Sequence, residues 1–296
     1  MKPLEQVDER KGWLERRKAG IGGSEAASVL GLSPYKSAFT LWSEKVGLLE
    51  PKGLDSEWIE WGQILEEPIA RKYSIVTGRT LIDHGRFAIR KSAGHPIMIC
   101  TSDREIVAPC RGILSIKNVI QFAAGDWDDD APVHAQIQLQ HELIVWELLF
   151  GSIAALLGGN HFRWMDVEKN ERFCSFLIEQ EQAFWDLVQR GTPPAVDGSK
   201  STKEALARLY PKDAGTTRVL PQESIEWAEK LAAAKDQIRE AEKIEQEIEN
   251  LIKAAIGDAT FGELPGGAGK FSWKHTKRKS YTVEESEFRV LRTIKK

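Results

Sequence analysis

The sequence predicts an α/β domain with a central mixed sheet flanked by helices. Short apolar runs separated by turn signals fill residues 87–117, as expected for successive strands. Segments with helical periodicity lie before and after these runs. The order helix, strands, helix, strands, helix favours packed α/β layers over an all-α or all-β fold.

Each element follows from its local pattern. Residues 10–50 are predicted to form a helix, a tight turn at Gly20–Gly23, a helix capped by Ser24, and another short helix. Apolar residues recur every three or four positions from Glu57 to Thr77, which indicates a helix. The later elements are largely antiparallel strands at 87–89, 97–100, 106–107 and 112–117, a helix at 135–149, strands at 154–157 and 162–164, and a helix at 168–190.

The chain is predicted to divide into three parts. The first domain spans residues 1–198, and a linker rich in turn formers and charge covers residues 199–222. Residues 223–296 form a C-terminal segment with a long helix to Ile256, a small β-hairpin around Pro265–Gly267, and a basic tail. An apolar stripe along the long helix indicates packing on its own domain or on a partner.

Composition limits the class of protein. Hydrophobic residues make up 42% and charged residues 29% of the 296 residues, as in ordinary globular proteins. The charged N-terminus predicts no secretory signal, and no apolar run is long enough to span a bilayer. Three cysteines without metal-type spacing indicate a reducing, cytoplasmic setting. The net charge of −3 neither indicates nor excludes nucleic-acid binding, because local patches govern the field near a site.

A candidate metal site lies in the strand region. Hydrolysis of a phosphodiester requires carboxylates around Mg²⁺ and a cation near the scissile phosphate. Asp103 stands between two predicted strands, and Ser115 and Lys117 share one face of the next strand. Glu66, on the helix 57–77, can add another carboxylate. Asp103 taken alone is more often a turn residue, whereas Lys117 in an apolar strand needs an anionic partner.

The order of several motifs adds a resemblance to a known family. The segments are RKAGIGGSEAASVLGLSPYKSAFTLWSEKVG, WGQILEEPIARKY, HPIMICTSDREIV, GILSIKN and QIQLQHELIVW followed by LLGGNHF. The chain resembles the YqaJ viral recombinases, relatives of the phage lambda exonuclease, over about residues 10–198. The resemblance implies a PD-(D/E)XK nuclease fold and degradation of one strand of duplex DNA from an end, with Mg²⁺ as cofactor and Mn²⁺ as an alternative.

The resemblance also implies roles for individual residues. Glu66 and Asp103 would bind the metal, Lys117 would be the catalytic lysine, and Gln138 would approach the metal and the terminal phosphate. Position 115 would belong to the catalytic set. The 5′-phosphate and DNA would be bound by four residues: Arg17, Ser24, Thr101 and Gln140.

Two positions depart from the family pattern. Ser115 stands where the family has an acidic residue, and Arg104 stands where it has a glycine. A neutral serine is a poor Mg²⁺ ligand, and its loss of charge predicts a large loss of rate. Three explanations stay open: an introduced inactivating substitution, a natural serine whose charge is supplied by Glu105 or Glu142, and a pseudo-nuclease that retains end binding.

Three functional hypotheses follow. The first is a Mg²⁺-dependent exonuclease of phage-type recombination in the cytoplasm of a bacterium or phage-infected host, acting on double-stranded DNA ends. The second is a non-catalytic module on a nuclease scaffold that binds DNA ends or proteins. The third is an interaction protein whose 223–256 helix recruits a partner such as a single-strand annealing protein. The lambda-type relatives imply a homotrimer or another homo-oligomer.

Overall fold

A computed structural model describes residues 4–51, 56–280, 282, 285 and 287–292. The chain forms two compact units, Met1–Pro211 and Lys212–Lys296. The first unit includes a helix at Lys200–Leu209, inside the segment predicted to be a linker. The three-part division into 1–198, 199–222 and 223–296 stays a prediction.

The first unit contains seven α-helices and eight strands among the described residues. The helices are α1 (Leu4–Lys18), α2 (Gly23–Val29), α3 (Ala38–Lys45), α4 (Glu57–Thr77), α5 (Val133–Trp146), α6 (Glu171–Arg190) and α7 (Lys200–Leu209). The strands are β1 (Ile21–Gly22), β2 (Thr80–Ile82), β3 (Arg90–Lys91), β4 (Met98–Cys100), β5 (Arg104–Ala108), β6 (Gly112–Val119), β7 (Phe150–Leu157) and β8 (His161–Glu168).

The main sheet is mixed, as the sequence predicts. Its five strands lie in the order β2-β5-β6-β7-β8. The pair β6/β7 is parallel, and the other three pairs are antiparallel. Because parallel neighbours need a crossover, the chain between β6 and β7 carries α5. The predicted α/β architecture is therefore confirmed.

The two faces of β6 contact different helices. Ile113 belongs to a buried cluster with side chains of α5, including Leu139 and Leu143. Leu114 and Ile116 belong to a second cluster with side chains of α4. Because side chains alternate along a strand, Ser115 and Lys117 share the face of Ile113. The side chains of β6 that are predicted to belong to the catalytic site, Ser115 and Lys117, therefore face α5.

A second, three-stranded sheet of order β1-β4-β3 holds the N-terminal part of the unit. The predicted glycine turn contains β1, which pairs in parallel with β4 in the register Ile21↔Met98. The close approach requires glycine, since a Cβ at Gly20 would lie 2.6 Å from the carbonyl oxygen of Ile97. The predicted strand at 87–89 is wrong: these residues form a turn and an irregular segment, and the strand is Arg90–Lys91.

The second unit contains a long helix and a hairpin. Helix α8 runs unbroken over Ser224–Ile256, and β9 (Phe261–Glu263) pairs antiparallel with β10 (Lys270–Ser272). The predicted apolar stripe is largely exposed, as at Ile238, Ile248 and Leu251. Residues 281, 283, 284, 286 and 293–296 of the predicted basic tail lie outside the described residues. In the described part of the chain, no helix has the length and apolar character needed to cross a membrane.

Candidate active site

Asp103 and Lys117 lie together at β6. Asp103 precedes β5, and its Oδ2 accepts a hydrogen bond of 2.6 Å from the backbone N–H of Ile116. Burial raises the pKa of Asp103, and the charge of Lys117 opposes this rise. The predicted carboxylate and lysine are therefore close enough to interact electrostatically.

Helix α5 adds an amide and a carboxylate to this pair. Lys117 Nζ donates to Gln138 Oε1 at 2.9 Å, and Gln138 Nε2 donates to Glu142 Oε1 at 2.8 Å. Glu142 is only 2% exposed. Burial and the neighbouring charge of Asp103 raise the pKa of Glu142 to about 7. The structure thus brings the predicted Gln138 into the site, together with one of the two acids proposed as substitutes for the missing charge.

Ser115 is fully buried on the same face of β6, and its Oγ has no hydrogen-bond partner. The other proposed substitute, Glu105, is engaged elsewhere. Its carboxylate lies 2.6 Å from Arg111 Nε and 2.7 Å from His84 Nε2. Of the two proposed acids, Glu142 is the one that hydrogen bonds connect to Lys117, through Gln138.

Arg104 binds the helix-borne acid. Its guanidinium donates to Glu66 Oε1 and, at 2.9 Å, to Glu67 Oε2, and it lies 3.3 Å from Asp83 Oδ2. Burial and the charge of Asp103 raise the pKa of Glu66, which Arg104 opposes. Glu66 therefore lies near Asp103, but the guanidinium of Arg104 already contacts the Glu66 carboxylate.

The donor set determines whether a divalent cation fits. Among the described residues, no group of three or more His, Cys, Asp or Glu side chains is arranged to hold a metal ion. Mg²⁺, however, is usually held by one or two carboxylates, with water and substrate phosphate as its other ligands. Asp103 and the unpaired oxygen of Glu142 supply two such carboxylates. The residues present therefore fit a Mg²⁺ ion that uses few protein ligands.

The three predicted phosphate-binding residues Arg17, Ser24 and Thr101 lie in one cluster. Arg17 NH2 donates to Ser24 Oγ at 3.2 Å, and its guanidinium stacks over the Trp13 ring at 4.9 Å. Trp13 Nε1 in turn donates to Thr101 Oγ1 at 3.1 Å. An arginine and two hydroxyl groups in one place can bind a phosphate through charge-assisted hydrogen bonds. We call Trp13, Arg17, Ser24 and Thr101 the arginine cluster.

Glu25 supports the arginine cluster, although it is not among the site residues predicted from the sequence. Its Oε2 accepts from the Gly22 N–H at 2.8 Å and from Lys45 Nζ at 2.7 Å. Its Oε1 lies 3.6 Å from Arg17 NH2. The spacing of Glu25, three residues after Gly22, is that of a capping glutamate and was a usable signal.

The structure does not bring Gln140 to the site. Its Nε2 donates to the carbonyl oxygen of Glu168, and its Oε1 accepts from the Asn170 N–H at 2.9 Å. Gln140 is 6% exposed and joins α5 to the turn between β8 and α6. Its amide therefore has a structural role away from Lys117.

Comparisons with known proteins bear on the same region. Residues 12–148 match the YqaJ-like viral recombinase domain. The chain is 31% identical over 270 residues to the protein YqaJ of Bacillus subtilis (strain 168), which covers 90% of this chain and 83% of that protein.

Two solved structures are also similar. The alkaline exonuclease LHK-Exo from Laribacter hongkongensis superposes with a TM-score of 0.49 at 13% identity, covering 61% of this chain and 93% of that chain. LHK-Exo in complex with dAMP superposes with a TM-score of 0.50 at 14% identity, with the same coverage. The likeness to the dAMP complex concerns the fold alone. Together with the match to the YqaJ family, this fold confirms the predicted PD-(D/E)XK class.

Proposed function

Because the chain belongs to the family of YqaJ-like viral recombinases, we propose that it is a Mg²⁺-dependent exonuclease that degrades one strand of linear double-stranded DNA from an end. One observation carries the proposal most strongly: the arginine cluster adjoins the group formed by Asp103, Lys117 and Gln138. Thr101 lies two residues before Asp103 in the chain. On the other side, a Cβ at Gly23 would lie 3.4 Å from Gln138 Cγ, so the backbone next to Ser24 contacts the site.

The position of the arginine cluster next to Asp103 and Lys117 suits the end of a DNA strand better than an internal phosphodiester. Arg17, Ser24 and Thr101 would hold a terminal phosphate, and the next phosphodiester would then approach Lys117. Because Arg17 is fixed by stacking on Trp13 and by Glu25, little ordering would accompany phosphate binding.

The chain's own groups can support the cleavage step. Lys117, oriented by Gln138, places a positive charge where charge develops on the scissile phosphate. Asp103, held by the Ile116 N–H, would bind a divalent cation together with the family's helix-borne acid Glu66. When bound, such a cation activates a water molecule and neutralises the phosphate.

A second function is favoured by two other observations. Ser115 contributes no charge, and Arg104 contacts the carboxylate of Glu66. Both reduce the negative charge available to a metal ion. The alternative is a non-catalytic protein that binds DNA ends through the arginine cluster.

A cleavage assay separates the two functions. Linear duplex DNA with 5′-phosphates is incubated with the protein and Mg²⁺, or with Mn²⁺, and circular duplex DNA serves as the control substrate. Loss of one strand from the linear DNA alone is expected, and Ser115→Glu should increase it. If neither the original chain nor Ser115→Glu removes nucleotides, the exonuclease proposal is wrong.

End binding is measured without metal. Arg17→Ala should weaken binding of 5′-phosphorylated ends and reduce its dependence on salt, because one phosphate contact is lost. Arg16→Ala is a matched control, since its side chain contacts the carbonyl oxygen of Phe87 instead. Equal losses for both variants would contradict a phosphate site at Arg17.

We also propose that α8 binds a partner protein, such as a single-strand annealing protein. Exposed apolar side chains along α8, including Ile238, Ile244 and Ile248, support this proposal. Deletion of α8 should abolish capture of an annealing protein in a pull-down without affecting end binding. Assembly into a trimer or another homo-oligomer stays a prediction, which the mass of the full chain in solution would test.

A further inference from the structure

Two buried oxygen atoms without partners lie at the candidate active site. Among the described residues, three buried side-chain oxygens have no hydrogen-bond partner: Ser115 Oγ, Glu142 Oε2 and Glu181 Oε2. Leaving a buried polar atom unpaired costs about 1–3 kcal/mol, and more when the group is charged. Such atoms therefore identify places where a ligand can compensate the cost of burial.

Glu142 is held in one orientation by its surroundings. Gln138, itself bound to Lys117, donates to Glu142 Oε1 and leaves Oε2 unpaired. On the other side, a Cβ at Gly23 would lie 3.1 Å from both Cγ and Oε1 of Glu142. The carboxylate is therefore packed between α2 and Gln138, and its unpaired oxygen is a fixed feature of the site.

The acid missing from β6 and the extra acid of α5 belong to elements that pack against each other. Ser115 and Lys117 face α5, and the side chain of Gln138 connects Lys117 to Glu142. Asp103 is close enough for its charge to act on Glu142. Two buried carboxylates that repel each other are stabilised by a shared cation, and Mg²⁺ prefers oxygen ligands of this type.

We propose that Glu142 replaces the acid absent at position 115, and that Glu142 and Asp103 together hold the divalent cation. This inference rests on the proposed metal-dependent nuclease function and names the metal-binding residues of that site. Glu66, whose carboxylate Arg104 contacts, stays the third carboxylate of the proposed metal site. Ser115 contributes space next to the cation instead of a charge.

Glu181 provides a matched control. It is as buried as Glu142, and its Oε2 also has no partner. However, its Oε1 lies 2.8 Å from His141 Nδ1, whose Nε2 lies 2.9 Å from the carbonyl oxygen of Ile99. Glu181 therefore shares the burial of Glu142 without contacting Lys117 or Gln138.

Mn²⁺ binding to the full chain without DNA tests the inference. Isothermal titration calorimetry is carried out on the original chain, Glu142→Gln, Glu181→Gln and Asp103→Asn. Glu142→Gln and Asp103→Asn should each weaken Mn²⁺ affinity by at least about ten-fold, because the loss of even an indirect supporting group costs that much. Glu181→Gln should bind Mn²⁺ like the original chain. Thermal unfolding without metal shows that each variant is folded.

A double variant tests whether a carboxylate at position 115 can replace the carboxylate of Glu142. Adding Ser115→Glu to Glu142→Gln should restore Mn²⁺ affinity, since a carboxylate returns to the same side of β6. If Ser115→Glu does not fold, the comparison of Glu142→Gln with Glu181→Gln decides alone. Undiminished Mn²⁺ binding by Glu142→Gln, or no Mn²⁺ binding by the original chain at millimolar concentration, would overturn the inference.

The outcomes also separate this inference from the proposed function. Mn²⁺ binding that depends on Glu142, without cleavage of linear DNA, supports the metal site and rejects the exonuclease. Cleavage that persists in Glu142→Gln supports the exonuclease and rejects the role of Glu142.

Discussion

Replacing Glu25 with glutamine is expected to destabilise the first unit by about 3 kcal/mol at neutral pH. Lys45 Nζ lies 2.7 Å from Glu25 Oε2, and the Lys45 side chain is only 4% exposed. The same ammonium group donates to the carbonyl oxygens of Arg17 and Gly20. Glutamine keeps the shape of Glu25 but leaves the buried charge of Lys45 without its carboxylate.

The magnitude follows from the pKa of Glu25. Burial alone would raise this pKa, but the charges of Lys45 and Arg17 lower it from 4.5 to about 2. At about 1.4 kcal/mol for each pH unit, the difference corresponds to about 3 kcal/mol. Breaking a buried ion pair by removing one partner costs a similar amount, about 3–5 kcal/mol.

The sign of the pH dependence follows from the same pKa. Because the pKa of Glu25 is lower in the folded chain, its stabilisation is fully present above the ordinary pKa of 4.5. The stabilisation is lost as the pH falls toward about 2. The difference in unfolding free energy between the original chain and Glu25→Gln should therefore fall by about half near pH 3.

Urea unfolding followed by tryptophan fluorescence, from about pH 3 to about pH 8, measures this difference. Glu44→Gln is the control, because Glu44 forms a comparable ion pair with Lys36, whose side chain is 30% exposed. The control should lose only about 1 kcal/mol, since water can still solvate Lys36. A Glu25→Gln chain that unfolds at the same urea concentration as the original at neutral pH would refute the reasoning, as would a loss that does not change with pH.

Three further variants test other parts of the structure. Arg104→Gly should strengthen Mn²⁺ binding by about ten-fold, because the carboxylate of Glu66 loses its ion pair with the Arg104 guanidinium. Calorimetry measures the change, and weaker Mn²⁺ binding would contradict the prediction. Arg79→Ala should lower the free energy of unfolding in urea by about 1–2 kcal/mol, because Arg79 donates two hydrogen bonds to the half-exposed Asp166. An unchanged urea midpoint would show that these two hydrogen bonds do not stabilise the fold. Gln140→Ala should lower the free energy of unfolding by about 1–2 kcal/mol, while the binding of DNA ends and of Mn²⁺ stays unchanged. A loss of DNA-end binding without a loss of stability would show that Gln140 belongs to the DNA-binding site.

The sequence predicted the fold well where the signal is local. The segment from Gly112 to Lys117 was correctly placed in a strand, and α5 and α6 were placed within a few residues of their observed ends. The pairing of Ile21 with Met98 could not be predicted in the same way, since two paired residues leave no pattern of alternation. The glycine-rich segment was therefore predicted to be a turn, although it forms a short strand.

Helix geometry decides which polar side chains of α5 lie at the candidate site. Gln138 and Glu142 are four residues apart and face the same side of α5, where a hydrogen bond joins them. Gln140 is two residues from Gln138, which is a rotation of about 200° around the helix. The helical period alone could thus have separated Gln140 from the site and added Glu142 to it.

Partnerships between distant charges could not be predicted from spacing. Arg104 is 38 residues from Glu66 in the chain, and Lys45 is 20 residues from Glu25. Each pair requires the complete fold to bring its members together. A sequence pattern can thus name the acid that the family uses, but not the basic side chain that contacts it in the folded chain.

The distribution of charge explains how a serine at position 115 is compatible with the proposed metal site. Arg104 directs its guanidinium to Glu66 and also to Glu67 and Asp83, so several carboxylates share its charge. Asp103 receives a hydrogen bond from the Ile116 backbone N–H. If Glu142 binds the metal ion as a carboxylate, it supplies the negative charge next to Lys117 that an acid on β6 would otherwise have supplied. The charge would then come from α5 instead of the strand, and the helix that orients Lys117 through Gln138 would also hold the proposed metal ion.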